Sequence, residues 1–231
     1  MTSVRSTDRN AFRACVLIPT YDNPRTIKDV VESVLPYLRD VIVVDDGSGQ
    51  EARAQIDALR DRGLAQVIRR ETNGGKGAAV KTGLRAAHAL GYTHVLQLDA
   101  DGQHDARDIP RFLAEACAAP SALVLGAPKF AKDAPRARVY GRMLSVGFVH
   151  LETDGKPIQD PLCGYRVYPV EAALRCAPRA DRMDFDPEIA VRMVWSGVKV
   201  KNLPTHVRYI PRDQGGVSHF QLFRARESPA D

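Results

Sequence analysis

Two aspartates separated by one residue carry the clearest chemical signal in this sequence. Asp99 and Asp101 follow the apolar run Thr93–Leu98, which predicts a buried strand. At a strand end both carboxylates can turn toward one point, where hard oxygen ligands suit Mg²⁺ or Mn²⁺ and substrate phosphates complete the shell. Gln103 and His104 add a carbonyl oxygen and an imidazole as further candidate ligands. Taken alone, however, such a pair is more often a plain turn.

Polar loops follow four successive apolar runs of the N-terminal half. They are Ile18–Asn23, Val44–Ser48, Asn73–Ala79 and Leu98–His104. Ligands of an open parallel sheet bind beyond the carboxyl ends of its strands, so four such loops predict one shared crevice.

Two of these loops have both a binding and a structural interpretation. A carboxylate of Asp45 or Asp46 would accept from a ribose hydroxyl or a base N–H, or the segment forms a turn or helix cap. Asn73–Gly77 opens a helix, where backbone N–H groups and Lys76 would meet an anion, or it is an Asn-Gly turn. It is not a Walker loop, because Gly77 follows the lysine where that motif has Ser or Thr.

The C-terminal half supplies a cation and a group of acids. Arg166 ends the turn that begins at Asp160, and an arginine grips diphosphate by paired hydrogen bonds. Asp184, Asp186 and Glu188 stand at a helix start, where they favour the helix dipole or include a catalytic base.

Apolar strands alternate with helices, which predicts an α/β fold with a mostly parallel central sheet and helices on both faces. The predicted strands are Ala14–Ile18, Val41–Val44, Leu64–Ile68, Thr93–Leu98, Ala122–Leu125, Asp160–Tyr168, Val198–Lys201 and Thr205–Tyr209. The predicted helices are Thr26–Leu38, Glu51–Arg62, Lys76–Leu90, Asp108–Ala118, Pro135–Leu151 and Pro187–Trp195.

Residues 13–210 are predicted to form a single catalytic domain. It divides into a nucleotide-binding half, residues 13–126, and an acceptor half, residues 127–210. Residues 1–12 are expected to be a flexible tail, and residues 211–231 a mobile loop and C-terminal tail. The apolar face of Pro135–Leu151 is either core packing or a peripheral membrane contact, and Trp195 is either core packing or a platform for the acceptor. We interpret both as core packing.

Composition narrows the class of protein. With 231 residues, 44% hydrophobic and 26% charged, the chain is neither disordered nor fibrous. The net charge of +5 favours anionic partners, but only 6% aromatic residues and no basic run argue against nucleic acid. Without an apolar run of roughly 20 residues or an apolar signal core, no membrane span or secretion is expected. The four cysteines lack metal spacing and are expected to be reduced thiols in the cytoplasm.

Six motifs together resemble the inverting family 2 glycosyltransferases of GT-A fold, especially the dolichyl-phosphate or polyprenyl-phosphate mannosyltransferase-like branch. The motifs are IPTYDN, VDDGS, NGGKGAAVKTGL, LDADGQHD, DPLCGYRVYP and FDPEIAVRMVWSGVKVKNLP. They extend from about Cys15 to Tyr209. The segments LQLDADGQHD, MDFDPEIAVR and GGVSHF are also similar to the glycosyltransferases encoded beside aryl-polyene pigment genes.

The resemblance implies roles for individual residues. Asp99, Asp101 and Gln103 would hold the Mg²⁺ or Mn²⁺ that bridges the donor diphosphate. The other donor-binding residues would be Pro19, Tyr21, Asp45, Asp46, Lys76, Ala100 and Arg166, with Arg138 and Arg142 as further candidates. Cys163 and Tyr165 stand where the family usually has Ser and Phe. These two differences would alter contacts to the acceptor.

The implied reaction is sugar transfer from a UDP- or GDP-sugar to a lipid-linked or other apolar acceptor, such as a polyene. A phosphate acceptor needs no strong base, whereas a hydroxyl acceptor does, with Asp186, Glu188 and Asp160 as candidates. Membrane contact would be peripheral, on the inner face of the plasma membrane, and the oligomeric state is left open. The alternatives are a nucleotidyltransferase of related fold and a non-catalytic nucleotide-binding module.

Overall fold

The computed structural model describes residues 11–129, 146–155 and 158–207 of the chain. Within these residues seven strands form one sheet in the order β3-β2-β1-β4-β6-β5-β7. The strands are β1 Ala14–Thr20, β2 Val41–Asp45, β3 Gln66–Arg69, β4 His94–Gln97, β5 Leu123–Lys129, β6 Arg166–Pro169 and β7 Val200–His206. The first four are parallel to one another, β6 runs antiparallel to β4 and β5, and β7 is parallel to β5.

Helices cover both faces of this sheet. They are α1 Ile27–Val34, α2 Gln50–Asp61, α3 Lys76–Ala89, α4 Ile109–Ala118, α5 at residues 146–152, α6 Val170–Arg175 and α7 Phe185–Trp195. No helix in the described ranges is both long enough and apolar enough to span a bilayer.

The alternation of β1 explains why both faces are covered. Cys15 and Leu17 belong to one buried cluster, which α3, α6 and α7 complete. Val16 and Ile18 belong to the other, which α1, α2 and α4 complete. Because successive side chains of a strand point to opposite faces, a continuous apolar run needs a hydrophobic layer on each side. The predicted α/β fold class is confirmed.

Two features of the second half differ from the predictions. Val198–Lys201 and Thr205–Tyr209 were expected as two strands, but β7 runs through Pro204. A proline is tolerated there because β7 is an edge strand of the sheet, with a partner on one side only. Helix α6 was missed because six residues carry too little periodicity. The segments 1–10, 130–145 and 208–231, with the tail and mobile loop expected there, lie outside the described residues.

The core-packing interpretation of the Pro135–Leu151 helix and of Trp195 is wrong for the residues that the structure describes. Val149 packs into the core, but Phe148 is 68%, Leu151 77% and Trp195 61% exposed. Helix α7 is apolar on more than one side, so the spacing of Trp195 could not identify the buried face.

His94 in β4 predicts a pH-dependent loss of stability. Its ring contacts Phe12, with centroids 4.4 Å apart, and its Nε2 lies 2.9 Å from the carbonyl oxygen of Pro120. Burial lowers the pKa of His94 below its usual 6.5, and the hydrogen bond to Pro120 offsets this only in part. The unfolded chain therefore takes up a proton first, so stability is complete above about pH 6.5 and decreases as the pH falls toward the lower folded pKa.

We expect the melting temperature to fall between about pH 7 and about pH 5, and to fall less in His94→Gln, which cannot titrate there. Thermal unfolding followed by circular dichroism checks this expectation. An equal pH dependence in the variant would assign the effect to other groups.

Candidate active site

Loops from three strand ends are joined at one edge of the sheet. After β1, the backbone N–H of Asp22 donates to Oγ of Ser48 at 3.1 Å, and the N–H of Gly49 donates to Oδ1 of Asp22 at 2.7 Å. Oγ1 of Thr26 donates to the carbonyl oxygen of Ala100, after β4, at 2.6 Å. The predicted convergence of these loops is confirmed.

A largely buried lysine links two carboxylates at this edge. Nζ of Lys76, the first residue of α3, lies 2.7 Å from Oδ1 of Asp99 and 2.7 Å from Oδ2 of Asp186. The exposed fractions of the Lys76 and Asp186 side chains are 13% and 2%. The sequence places Lys76 and Asp99 at one crevice, but no spacing indicates that Asp186, more than a hundred residues along the chain, completes the group.

This arrangement keeps Lys76 and Asp99 charged. Burial lowers the pKa of Lys76, but attraction to Asp186 and Asp99 outweighs burial and raises the pKa above its usual value. Burial raises the pKa of Asp99, but Lys76 and then His104 outweigh it and lower the pKa. At Asp101 burial and the neighbouring Asp99 charge both raise the pKa, so an added cation here would relieve repulsion.

The donor set beside Lys76 fits a divalent cation that substrate phosphates help to hold. Asp99 and Asp101 supply carboxylates, and Oδ1 of Asp101 accepts from the backbone N–H of Gln103 at 3.0 Å, which fixes that turn. Nδ1 of His104 is buried and has no hydrogen-bond partner among the described residues. Within the described ranges, no cluster of three or more His, Cys, Asp or Glu side chains forms a metal site. One or two carboxylates plus phosphates are a usual Mg²⁺ environment, so the residues fit.

Gly164, which sequence reasoning missed, contacts Asp99 directly. A Cβ atom at Gly164 would lie 2.6 Å from the carboxylate carbon of Asp99. We expect Gly164→Ala to displace this carboxylate, to lower nucleotide affinity and to destabilise the fold by about 1–3 kcal/mol. Urea unfolding and nucleotide binding measure the two effects.

Gly147→Ala is the matched control for that substitution. Among the described residues a Cβ at Gly147 meets nothing within 4 Å, so this variant should keep the affinity and should not lose stability. Wild-type nucleotide binding in Gly164→Ala would show that the contact with Asp99 is unimportant.

Asp45 and Asp46 stabilise the loops around the crevice in this structure. Asp45 is fully buried, and its oxygens accept from the backbone N–H of Ser48 and from Nε of Arg69. Asp46 accepts from the backbone N–H groups of Gly74 and Gly75, the latter at 2.7 Å, and pairs with Arg70. Asp46 thus holds the loop that leads to Lys76, while Asp45 does not face the crevice.

The start of α3 is covered by the segment Pro178–Asp181. The backbone N–H of Ala78 donates to the carbonyl oxygen of Asp181 at 3.0 Å. Nζ of Lys81 donates to the carbonyl oxygens of Pro178, Arg179 and Ala180 and pairs with Asp181 at 2.7 Å. A carbonyl oxygen therefore already takes the Ala78 donor, one of the backbone groups that the sequence offered for an anion at this helix start.

Arg166 is enclosed and bonded to the backbone. Its guanidinium donates to the carbonyl oxygens of Pro161 at 3.1 Å, Cys163 at 2.9 Å and Asp186 at 2.9 Å. Its side chain is 0% exposed, and Nη2 lies 3.7 Å from Oδ1 of Asp186. In this conformation Arg166 does not reach the crevice, contrary to the expected diphosphate contact. It fixes the turn before β6 and the start of α7.

Comparison with known proteins identifies the class of enzyme. The model of glycosyl transferase family 2 matches residues 15–174 of the chain. The chain belongs to glycosyl transferase family 2.

Curated relatives define the branch of this glycosyltransferase. Glycosyltransferase AglJ of Haloferax volcanii is 30% identical over 216 residues, 91% of this chain and 67% of that protein. UDP-N-acetylglucosamine–dolichyl-phosphate N-acetylglucosaminyltransferase of Methanococcus voltae is 28% identical over 66% of this chain and 68% of that protein. Polyprenol monophosphomannose synthase of Mycolicibacterium smegmatis is 30% identical over 71% of this chain and 64% of that protein. These similarities support the polyprenyl-phosphate glycosyltransferase-like branch.

A solved structure supports the GT-A fold of this glycosyltransferase. Glucosyl-3-phosphoglycerate synthase from Mycobacterium tuberculosis, in complex with Mn²⁺, UDP and phosphoglyceric acid, has a TM-score of 0.67 and 20% identity. The match covers 89% of this chain and 74% of that one. Family membership favours a glycosyltransferase over the two alternatives, a nucleotidyltransferase and a non-catalytic module.

The base candidates of this glycosyltransferase are already engaged. Glu188 accepts from the backbone N–H groups of Arg179 and Ala180 and from Nε of Arg192. Burial raises the pKa of Glu188, but these hydrogen bonds outweigh it and lower the pKa. Asp160 is buried, and its Oδ1 accepts from the backbone N–H of Leu162 at 3.0 Å.

The remaining predicted site residues differ in exposure. Pro19 is buried in β1, and Tyr21 is 37% exposed beside the first loop. Ala100 is buried between Asp99 and Asp101. Arg138 and Arg142 lie outside the described residues.

Proposed function

We propose that this glycosyltransferase transfers a sugar, with inversion, from a UDP- or GDP-sugar to the phosphate of a lipid-linked acceptor. The cluster of Lys76, Asp99 and Asp186, with Asp101 beside it, is the observation that carries the proposal. An attacking phosphate oxygen forms the new bond to the anomeric carbon while the bond to the nucleoside diphosphate breaks. The site must therefore stabilise negative charge on the leaving group.

The donor side rests on Asp99 and Asp101. These residues, with Gln103, would hold Mg²⁺ or Mn²⁺. A divalent cation bound here would neutralise charge on the leaving diphosphate. Glucosyl-3-phosphoglycerate synthase, which shares the fold, has been solved with UDP and either Mn²⁺ or Mg²⁺.

Lys76 is proposed to orient the carboxylates and to share its charge with the donor phosphates. Its ammonium group is held by Asp99 and Asp186 at 2.7 Å each, so it keeps both side chains in one arrangement before the donor binds. A preorganised cation stabilises developing charge without a reorganisation cost.

The proposal of a phosphate acceptor rests on the interactions that already engage the candidate bases. Asp186 is paired with Lys76, and Glu188 accepts three hydrogen bonds that lower its pKa. Neither is suited to remove a proton from a hydroxyl group, whereas a phosphate acceptor is already anionic. A lipid-linked acceptor also implies peripheral contact with a membrane, which is part of the same proposal.

Calorimetric titration with UDP and GDP tests the proposal, each with Mn²⁺, Mg²⁺ or EDTA. We expect one nucleotide to bind only with metal, and Asp99→Asn and Asp101→Asn to weaken binding at least about tenfold, as loss of a charge-assisted contact predicts. Asp61→Asn, an exposed carboxylate on α2, is the matched control and should bind normally. If neither nucleotide binds under any condition, the proposed donor class is wrong.

A further inference from the structure

An open groove runs along the outer face of α7. Its volume is about 370 Å³, and Pro187, Val191 and Trp195 line it together with Glu152, Glu188 and Arg192. The three apolar residues are spaced by four, so they form one stripe along the helix. At about 1.5 Å per residue the stripe is about 12 Å long.

Trp195 is a fixed apolar surface at the far end of this stripe. Its Nε1 donates to the carbonyl oxygen of Glu152 at 2.7 Å, which ties the indole to the end of α5. The side chain is nevertheless 61% exposed, and Phe148 and Leu151 on α5 are 68% and 77% exposed. Exposed apolar residues that cluster in this way mark a binding surface more often than isolated ones do.

The near end of the stripe adjoins the candidate active site. Pro187 follows Asp186 directly in the first turn of α7, and Asp186 is the residue whose carboxylate holds Lys76. A ligand whose reactive head lies near that cluster can therefore lay a tail along α7 toward Trp195.

We propose that this groove binds the apolar chain of the acceptor, next to its phosphate head. The inference rests on the proposed function, because only a lipid-linked acceptor carries such a chain. A sugar fits the groove less well, because the Glu188 oxygens already accept from two backbone N–H groups and from Arg192. The stripe of Pro187, Val191 and Trp195 suits an apolar chain and gives a sugar no hydroxyl partners.

Trp195 is the one tryptophan in the sequence, so its fluorescence reports on this groove alone. The probe is farnesyl phosphate below its micelle concentration, added in the presence of the nucleotide and metal that bind. We expect a saturable blue shift of the emission, because the indole passes from water into an apolar contact. Inorganic phosphate alone should leave the emission unchanged.

Two variants and one control test whether farnesyl phosphate binds in this groove. Leu151→Glu keeps the reporter and should weaken the farnesyl phosphate titration several-fold. Trp195→Ala, followed by calorimetry, should lose about tenfold in affinity for the same probe, as expected for one large apolar contact. Tyr37→Ala removes an aromatic side chain of 40% exposure elsewhere on the surface and should have no effect.

Three results would overturn the inference. They are no shift with farnesyl phosphate, a shift produced equally by phosphatidylglycerol vesicles, and unchanged affinity in Trp195→Ala. A shift caused by methyl mannoside but not by farnesyl phosphate would also overturn it, in favour of a sugar site. Nucleotide binding measured on the same samples separates the two hypotheses. Intact binding with no farnesyl effect refutes the groove alone, whereas no nucleotide binding refutes the proposed function.

Discussion

Replacing Arg166 with methionine should destabilise the protein by about 3–5 kcal/mol, the range for breaking a buried charged group from its partners. Methionine fills the volume, but it leaves the carbonyl oxygens of Pro161, Cys163 and Asp186 without their donor. The Asp186 carboxylate also loses the second cation near it. Urea denaturation at constant pH measures the change in the free energy of unfolding.

Arg175→Met is the matched control for this substitution. Arg175 is 70% exposed in its side chain and pairs with Glu171 at the surface, so its loss should change stability by no more than about 0.5 kcal/mol. The opposite result for Arg166 would be informative. An Arg166→Met variant of normal stability that no longer binds nucleotide would mean that the guanidinium reaches the diphosphate after all, as the sequence motif suggested.

Replacing Lys76 with methionine should remove most nucleotide binding and also cost about 3–5 kcal/mol of stability at neutral pH. The substitution leaves Asp99 and Asp186 enclosed beside each other without the ammonium group that pairs with both. Lys28→Met, an exposed lysine of α1, is the control and should behave like the wild type.

The pH dependence of the Lys76→Met deficit tests its cause. Burial raises the pKa of Asp99, and Lys76 is the largest influence that lowers it, with His104 second, so the pKa should rise in the variant. The stability that ionised Asp99 contributes in the wild type is present above its usual pKa and is lost as the pH falls. The difference between variant and wild type should therefore shrink from about pH 7 to about pH 4, as the unpaired Asp99 carboxylate takes up a proton. A constant difference would point to lost packing instead.

The part of the site that comes from the N-terminal half of the chain could be predicted, because the hydrophobic pattern and the sheet topology indicate the same arrangement there. Buried parallel strands have continuous apolar sequences, which makes them recognisable. The residues that follow such strands must lie at one edge of the sheet. The predicted proximity of Asp99 and Lys76 follows from this and is confirmed. Loop contacts such as Thr26 to Ala100 follow from that arrangement.

The second half was harder because its contacts depend on long-range packing that no spacing encodes. The sequence shows Arg166 as a cation after a turn, but not that three backbone carbonyls surround it. The Pro178–Asp181 segment has no periodicity, yet it caps α3 and holds Lys81. Gly164 carries no side chain, so its role could not be predicted from its chemistry. The structure shows that a glycine is needed there because the Asp99 carboxylate lies against it. The narrower resemblance to aryl-polyene glycosyltransferases and the two-half division of the domain stay predictions.

The position of β6 has a consequence for how such an enzyme can be divided. Although it comes after β5 in the chain, β6 lies between β4 and β5 and pairs with both. A fragment that ends at residue 126 would leave the facing backbone groups of β4 and β5 without partners in the middle of the sheet, where each unpaired group is costly. The region proposed to bind the donor therefore cannot be moved to another protein as a separate unit. Grafting experiments that exchange acceptor specificity should therefore leave residues 166–169 in place and replace only the surface segments around them.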